Sequence, residues 1–295
     1  MNNKIKKICR KNNLQIVKKE IIPEKKGITE VRDNRGKLFI LKTEGVDEYQ
    51  AKLFKIAKRN ENRLCFKVPK IKKLSKDVIL LEKIEGVSFN GFLDKNMDRF
   101  MDMSKKIADD YQKVVNLFLK KENPGDLLLD GKKWAMSKIL LWSAPIIEAG
   151  LINYSDIKKT ADELNDFIQD NGSNFFCWAH GNIIGDHIII SNDDNKPYLL
   201  DLNIVPRIGN NYYDFLRAMD FAFLKTEKEY LFYKKISFWI DRYLPNCDKR
   251  EVEPVFKMRL IGILGWDLLF HKVGYTKENI ENKKKILLKL IKKGI

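Results

Sequence analysis

The sequence predicts an α+β protein of two unequal lobes, with a small antiparallel sheet first and a larger, mainly helical part after it. Two observations carry this. Short apolar runs separated by turn residues fill residues 1–84, and from Met97 onward apolar residues recur at helical spacing. A third observation points to function. The stretch Trp178 to Asp214, WAHGNIIGDHIIISNDDNKPYLLDLNIVPRIGNNYYD, interrupts the helices with a loop, a strand, a tight turn and a second strand ending on the carboxylate Asp201.

Taken in order, residues 1–11 hold five basic side chains and read as a short basic helix or arm. Leu14 to Val17, Ile28 to Arg32 and Leu38 to Leu41 read as a three-stranded meander, with Asp33-Asn34-Arg35-Gly36 as a hairpin turn and Lys42 at its end. A helix is expected over Val46 to Arg59, with Glu48 in its first turn and Glu44 just ahead. Ile71 to Leu74 and Asp77 to Ile84 supply two more strands before Glu85-Gly86 breaks the pattern. The expected division is a lobe of residues 1–84, a hinge at about 82–87 and a second lobe of residues 88–295.

The second lobe reads as helices over Met97 to Leu119, Lys132 to Ile147 and Tyr154 to Asp170, the last capped by Ser155. After the central stretch come Tyr213 to Phe223, Glu227 to Leu244, Val252 to Lys272 and, capped by Thr276, Lys277 to Lys293. That is more helix than one meander can cover, which is why the lobes are unequal. The basic amphipathic last helix reads as a packed terminal helix, with contact to an anionic membrane surface as its alternative.

Composition bounds the partners. The apolar fraction is 44% with 11% aromatics, ordinary for a globular chain. The four cysteines are scattered without metal-type spacing and are expected to be reduced thiols in the cytoplasm. The start of the chain has no apolar core of a signal peptide, and Ile139 to Ile147 and Leu260 to Trp266 are far shorter than the ~20 residues of a membrane span. Lys and Arg number 56 against 40 Asp and Glu, a net charge of +16 that favours anionic partners. The lysines run along the whole chain and do not alternate with aromatics, so polyanion contact is open but no nucleic-acid motif stands out.

Within the central stretch the hairpin brings Asn182, His187 and Asp201 together at its open end. This segment resembles the core of the aminoglycoside phosphotransferase and choline kinase superfamily, a branch of the protein-kinase-like fold. That pattern is His-Gly-Asp, four residues, Asn, a hairpin ending in apolar-apolar-Asp, then Gly-x-x-x-Tyr-Asp. Here it reads His180-Gly181-Asn182, His187, Leu199-Leu200-Asp201 and Gly209 to Asp214. The resemblance implies a bilobal kinase-like fold, ATP or GTP as co-substrate, Mg²⁺ (with Mn²⁺ tolerated) on His187 and Asp201, and a small hydroxylated acceptor. It places Asn182 at the catalytic base position, Asp214 as a brace beneath the loop, and His180 as a structural ring. Lys42 becomes the phosphate clamp with Glu48 as its partner, Glu82 and Ile84 the hinge that meets the base, and the turn Pro23 to Gly27 the phosphate loop.

Two positions depart from the pattern. His for Asn at 187 also occurs in aminoglycoside 2''-phosphotransferases and some lipopolysaccharide-core kinases. Asn for Asp at 182, native or engineered, removes the group that takes the acceptor's proton. The alternatives to a small-molecule phosphotransferase are therefore a kinase-fold protein that binds nucleotide or a partner without turnover, and a lipopolysaccharide-core type sugar kinase. Asp186 is expected to face away from His187 as a turn residue. His271 has no assigned role, and Asp241 and Asp267 are acidic candidates for acceptor recognition.

Overall fold

A computed structural model describes residues 3–18, 27–209, 212–270 and 277–294. The first lobe is a five-stranded antiparallel sheet in the order β1-β2-β3-β5-β4: β1 (Gln15–Lys18), β2 (Ile28–Arg32), β3 (Leu38–Lys42), β4 (Ile71–Ser75) and β5 (Val78–Glu82). The β2–β3 hairpin closes where expected. The Asp33 carboxylate accepts from the Arg35 and Lys37 amides, and Gly36 takes the positive φ (+82°) that the turn requires. One face of this sheet packs under α1 (Asn3–Lys11), whose Cys9 is buried with Val31, Leu41, Val78 and Leu80.

The helix α2 (Gln50–Arg59) lies between β3 and β4 and buries Leu53, Phe54 and Ala57 in the main core. It starts four residues later than the apolar pattern suggests. The Asp47 carboxylate accepts from the amides of Tyr49 (2.8 Å) and Gln50 (2.6 Å), and this local turn postpones the helix to Gln50.

The chain leaves the sheet after Glu82, and β6 (Gly86–Ser88) already belongs to a second sheet, β6-β8-β9, with β8 (Ile188–Ser191) and β9 (Pro197–Leu199). A further antiparallel pair joins β7 (Phe176–Ala179) to β10 (Val205–Ile208), setting Arg207 opposite Cys177. Lys67 links the two lobes: its amide donates to the Pro197 carbonyl, and its carbonyl accepts from Leu199.

The rest is helical: α3 (Met97–Leu119), α4 (Leu127–Glu148), α5 (Tyr154–Asn171), α6 (Tyr213–Lys225), α7 (Glu229–Tyr243), α8 (Lys249–Phe270) and α9 (Lys277–Lys293). Asn96 and Asp126 cap α3 and α4, accepting from Arg99 and Leu129 amides. For α5 the cap residue is Asn153, one position before the helix, and Ser155 lies inside it. Helix α3 is the spine, with Phe100, Met101, Ile107, Tyr111, Val114 and Phe118 essentially solvent-free. Tyr111 reaches the site directly, its hydroxyl donating to the Asn203 carbonyl and its ring meeting His180 edge-on at 4.9 Å. Among the described residues no helix is long and apolar enough to cross a membrane. His271, Thr276, Asn210, Asn211 and Pro23 to Lys26 of the expected phosphate loop lie outside the described residues.

Candidate active site

A cleft of about 760 Å³ is walled by residues of both lobes. Ile28, Ile40, Leu81, Ile189 and Leu200 make it apolar, the strand-to-β6 connection gives Glu82, Lys83 and Ile84, and Lys42, His187 and Asp201 supply a polar end. Such a mixture, a mostly apolar slot with a few convergent polar groups, is the general form of a small-molecule site.

The polar end is built from three distant segments. Lys42, last residue of β3, forms an ion pair of 2.8 Å with Asp201 Oδ1, both side chains being mostly buried. Gln50, fully buried in the first turn of α2, donates from Nε2 to the same oxygen at 2.7 Å and to the Leu202 carbonyl at 3.1 Å. Burial alone would raise the Asp201 carboxyl, but the charge of the Lys42 ammonium bonded to it outweighs burial and holds it below the usual carboxylate range. Asp201 is thus an ionised, oriented carboxylate.

His187 closes a short 3₁₀ turn, Gly185–His187, immediately before β8. Its Nδ1 donates to the Asn182 carbonyl at 3.1 Å, a bond that leaves the lone pair on Nε2, the form in which an imidazole ligates a metal. Because the strand begins only at Ile188, strand alternation does not govern Asp186. It lines the cleft beside His187 rather than facing away, accepting from Asn90 Nδ2 at 2.6 Å.

The loop that carries Asn182 is held from below. Buried Asp214 accepts from the His180 amide (2.9 Å) and the Gly181 amide (2.8 Å). His180 donates from Nε2 to the Asp201 carbonyl at 2.7 Å and accepts the Asn182 amide on Nδ1 at 3.2 Å, so one neutral ring ties the loop to the carboxylate segment. Gly181 has φ +77° and would press a side chain into Val205 and Arg207, so only glycine fits there. Asn182 itself is not on the cleft wall. Its Oδ1 accepts from Arg217 Nε at 3.1 Å.

Two further expectations need correction. Glu48 does not partner Lys42: it precedes α2, is exposed and is absent from the cleft wall, while Lys42 pairs with Asp201 and the helix side chain that reaches the site is Gln50. The cause is the Asp47 turn, which moves the helix start. Asp241 is spent in an exposed ion pair with Lys249 and Asp267 is nearly buried, so neither is an open acidic contact. Gln50 and Arg217 were not picked out from the sequence. Gln50 was foreseeable from Asp47 as a turn-forming residue, whereas Arg217 carried no local signal.

His187 and Asp201 line the polar end of the cleft beside the carboxylates of Glu44 and Asp186. Among the described residues no cluster of three or more His, Cys, Asp or Glu forms a self-sufficient metal site. A nucleotide's metal does not need one, since phosphates and water complete its shell.

No sequence-family model matches the chain, and no curated protein matches it by sequence. Solved structures do match in fold. An aminoglycoside phosphotransferase from Alicyclobacillus acidocaldarius aligns with a TM-score of 0.55 at 10% identity, covering 97% of this chain and 94% of its own. The choline kinase LicA from Streptococcus pneumoniae aligns at 0.52 and 12% identity, over 97% and 96%. The amicoumacin kinase hAmiN, in complex with AMP-PNP, Ca²⁺ and Ami, aligns at 0.53 and 11% identity, over 99% and 96%. The bilobal kinase-like architecture expected from the sequence is the one found.

Proposed function

We propose that this chain, which has the bilobal protein-kinase-like fold of the aminoglycoside phosphotransferase and choline kinase superfamily, moves the γ-phosphoryl group of ATP or GTP to a hydroxyl of a small molecule. The observation that carries the reading is the convergence of Lys42, His187 and Asp201 at one end of an apolar cleft. The apolar walls suit a purine, the backbone at Glu82 and Ile84 suits its edge, and Lys42 suits its phosphates. Neighbours of this fold were solved with AMP and with AMP-PNP, which supports a nucleotide as the occupant.

The donor set fits a divalent ion. Asp201 offers an ionised oxygen, the ligand Mg²⁺ prefers, and His187 an imidazole, which Mn²⁺ would accept at least as readily as Mg²⁺. Glu44 and Asp186 add negative charge to the same wall, so a triphosphate would be repelled there without a cation between. Bound Mg²⁺ would neutralise charge developing on the phosphates. The chain's own contributions are positional. Lys42 exchanges Asp201 for phosphate, Gln50 keeps the carboxylate aimed, and His180 with Asp214 fixes the loop on which Asn182 orients the acceptor hydroxyl. The proposed setting is the cytoplasm, where nucleoside triphosphates are abundant.

A second reading, a kinase-fold protein that binds nucleotide without turnover, rests on Asn182 alone, since an amide cannot take up a proton at neutral pH. Calorimetric titration of Mg·ATP and Mg·GTP, followed by ADP or GDP release over a panel of hydroxylated compounds, separates the two. Binding with turnover supports the transferase, and binding without turnover on any acceptor supports the second reading. Absence of binding, or equal binding by Asp201→Ala, removes both.

A further inference from the structure

A chain of cationic side chains leads away from Asn182. Arg217, on α6, donates from Nε to Asn182 Oδ1 at 3.1 Å and from Nη1 to Asp220 Oδ1 at 2.8 Å. Arg259, on α8, reaches the other Asp220 oxygen at 2.8 Å and donates to the Tyr213 hydroxyl at 2.8 Å. The Tyr213 ring has a second guanidinium near it. Arg207 lies 5.7 Å from that ring's centroid and 4.2 Å over Trp134. Lys138, one turn along α4 from Trp134, lies 5.0 Å over Trp142.

The carboxylates in this cluster are already committed. Asp220 is shared between Arg217 and Arg259, and Asp214 serves the two loop amides. An excess of positive charge remains around Arg207 and Lys138. The Lys138 ammonium is pushed below its ordinary value, first by burial and then by the charges of Arg207 and Arg259.

Arg207 is the most informative member. Its Nη1 donates to the Pro206 carbonyl at 2.7 Å, but its Nε is buried and has no hydrogen-bond partner. A buried donor left unused is costly, and a guanidinium fixed between two aromatic rings is preorganised for an oxyanion. It also abuts the loop: a Cβ on Gly181 would stand 2.8 Å from that Nε. The unused donor and the residue at the base position therefore flank the same glycine.

We infer, resting on the phosphotransfer reading above, that the acceptor is a hydroxylated anion that presents its hydroxyl at Asn182 and a carboxylate or phosphate group to Arg207, with Arg259 and Lys138 adding charge. In the transfer, the acceptor oxygen bonds to the γ-phosphorus as the bond from that phosphorus to the β,γ-bridging oxygen breaks. The nucleoside diphosphate leaves with the bond's electrons, and the hydroxyl proton passes to solvent. A cationic acceptor, such as an amino sugar or a quaternary ammonium alcohol, meets repulsion from the same groups.

Four probes of related size test this: glycerate, glycerol 3-phosphate, glycerol and choline. Each is titrated by tryptophan fluorescence, which Trp134 and Trp142 bring to the site, and then assayed for ADP release with Mg·ATP. At least one anion is expected to bind more tightly than glycerol and choline, and glycerate against glycerol 3-phosphate tells carboxylate from phosphate. Arg207→Gln should weaken that anion about 10–100-fold, the worth of a charged hydrogen bond, with Mg·ATP affinity unchanged. Lys138→Met, at a side chain over a ring, gives a second and smaller loss in a variant that keeps the Arg207 packing. No saturable binding of either anion, equal or better binding of glycerol or choline, or indifference of anion affinity to both substitutions overturns the inference while leaving the kinase reading intact. Failure of Mg·ATP to bind overturns both, so the two failures are distinct.

Discussion

Arg217 donates its Nε–H to the side-chain oxygen of Asn182 at 3.1 Å, while its Nη1 is held by the buried carboxylate of Asp220 at 2.8 Å. Asn182 is therefore clamped by a cation that is itself clamped. With its oxygen engaged, the Asn182 amide has its NH₂ group as the second hydrogen-bonding end, a donor suited to an acceptor's oxygen lone pair.

Restoring a carboxylate here should help, but less than an unpaired base would. Asn182→Asp would form an ion pair with Arg217 and become a weaker base than a free carboxylate. General-base catalysis is typically worth ~10²–10⁴-fold, so the expected gain in kcat lies toward or below ~10²-fold, with nucleotide affinity unchanged. Steady-state ADP release with the best acceptor measures it. No gain on any acceptor would mean that Asn182 is not at the proton-transfer position.

Asp214 should matter more to stability than to nucleotide binding. Asp214→Ala strips the acceptor from two buried loop amides, His180 and Gly181, each an unmet donor costing about 1–3 kcal/mol. A thermal midpoint lowered accordingly, with turnover falling further than Mg·ATP affinity, is the expected pattern. An unchanged midpoint would show that the loop does not depend on this brace.

Much of this was readable beforehand, and the remainder has an identifiable cause. The meander, the hairpin turn at Asp33 and Gly36, and the α3 span are local patterns, and the structure reproduces them. The convergence of His187 and Asp201 followed from one hairpin, a short-range feature. Gln50, Arg207 and Arg217 are single polar residues whose meaning is tertiary: Gln50 meets Asp201 across 151 positions and Arg217 meets Asn182 across 35. No periodicity encodes such meetings. Glu48 was misplaced because the apolar pattern from Val46 outweighed Asp47, which starts the helix late.

Gln50 gives a test of how the carboxylate is held. Gln50→Glu sets a second carboxylate where Nε2 now stands, 2.7 Å from Asp201 Oδ1. With a single lysine between them, one of the pair is forced toward the protonated form, its carboxyl raised above the unfolded value. Stability from such a group is present at acid pH and lost as pH rises through the raised value. The deficit of Gln50→Glu against wild type, read as thermal midpoint without metal, should therefore be larger near pH 8 than near pH 5. Equal deficits at both would separate Gln50 from Asp201.

Asp201 itself predicts the opposite slope. Burial works to raise its carboxyl, yet the Lys42 ammonium bonded to it holds it below the usual range. A carboxyl depressed in the folded chain takes up its proton at lower pH than in the unfolded chain, where the value is ~3.9. Its stabilisation is thus complete above that value and lost as pH falls through the folded value. In the metal-free protein, Asp201→Asn removes this contribution, so its midpoint should lie below that of wild type near pH 7 and approach it from about pH 4 downward. Lys42→Met should show the same convergence, because the lysine is the partner at 2.8 Å. A deficit for Asp201→Asn that stays constant from neutral to acid pH would mean that the Lys42 pair does not hold the carboxylate ionised.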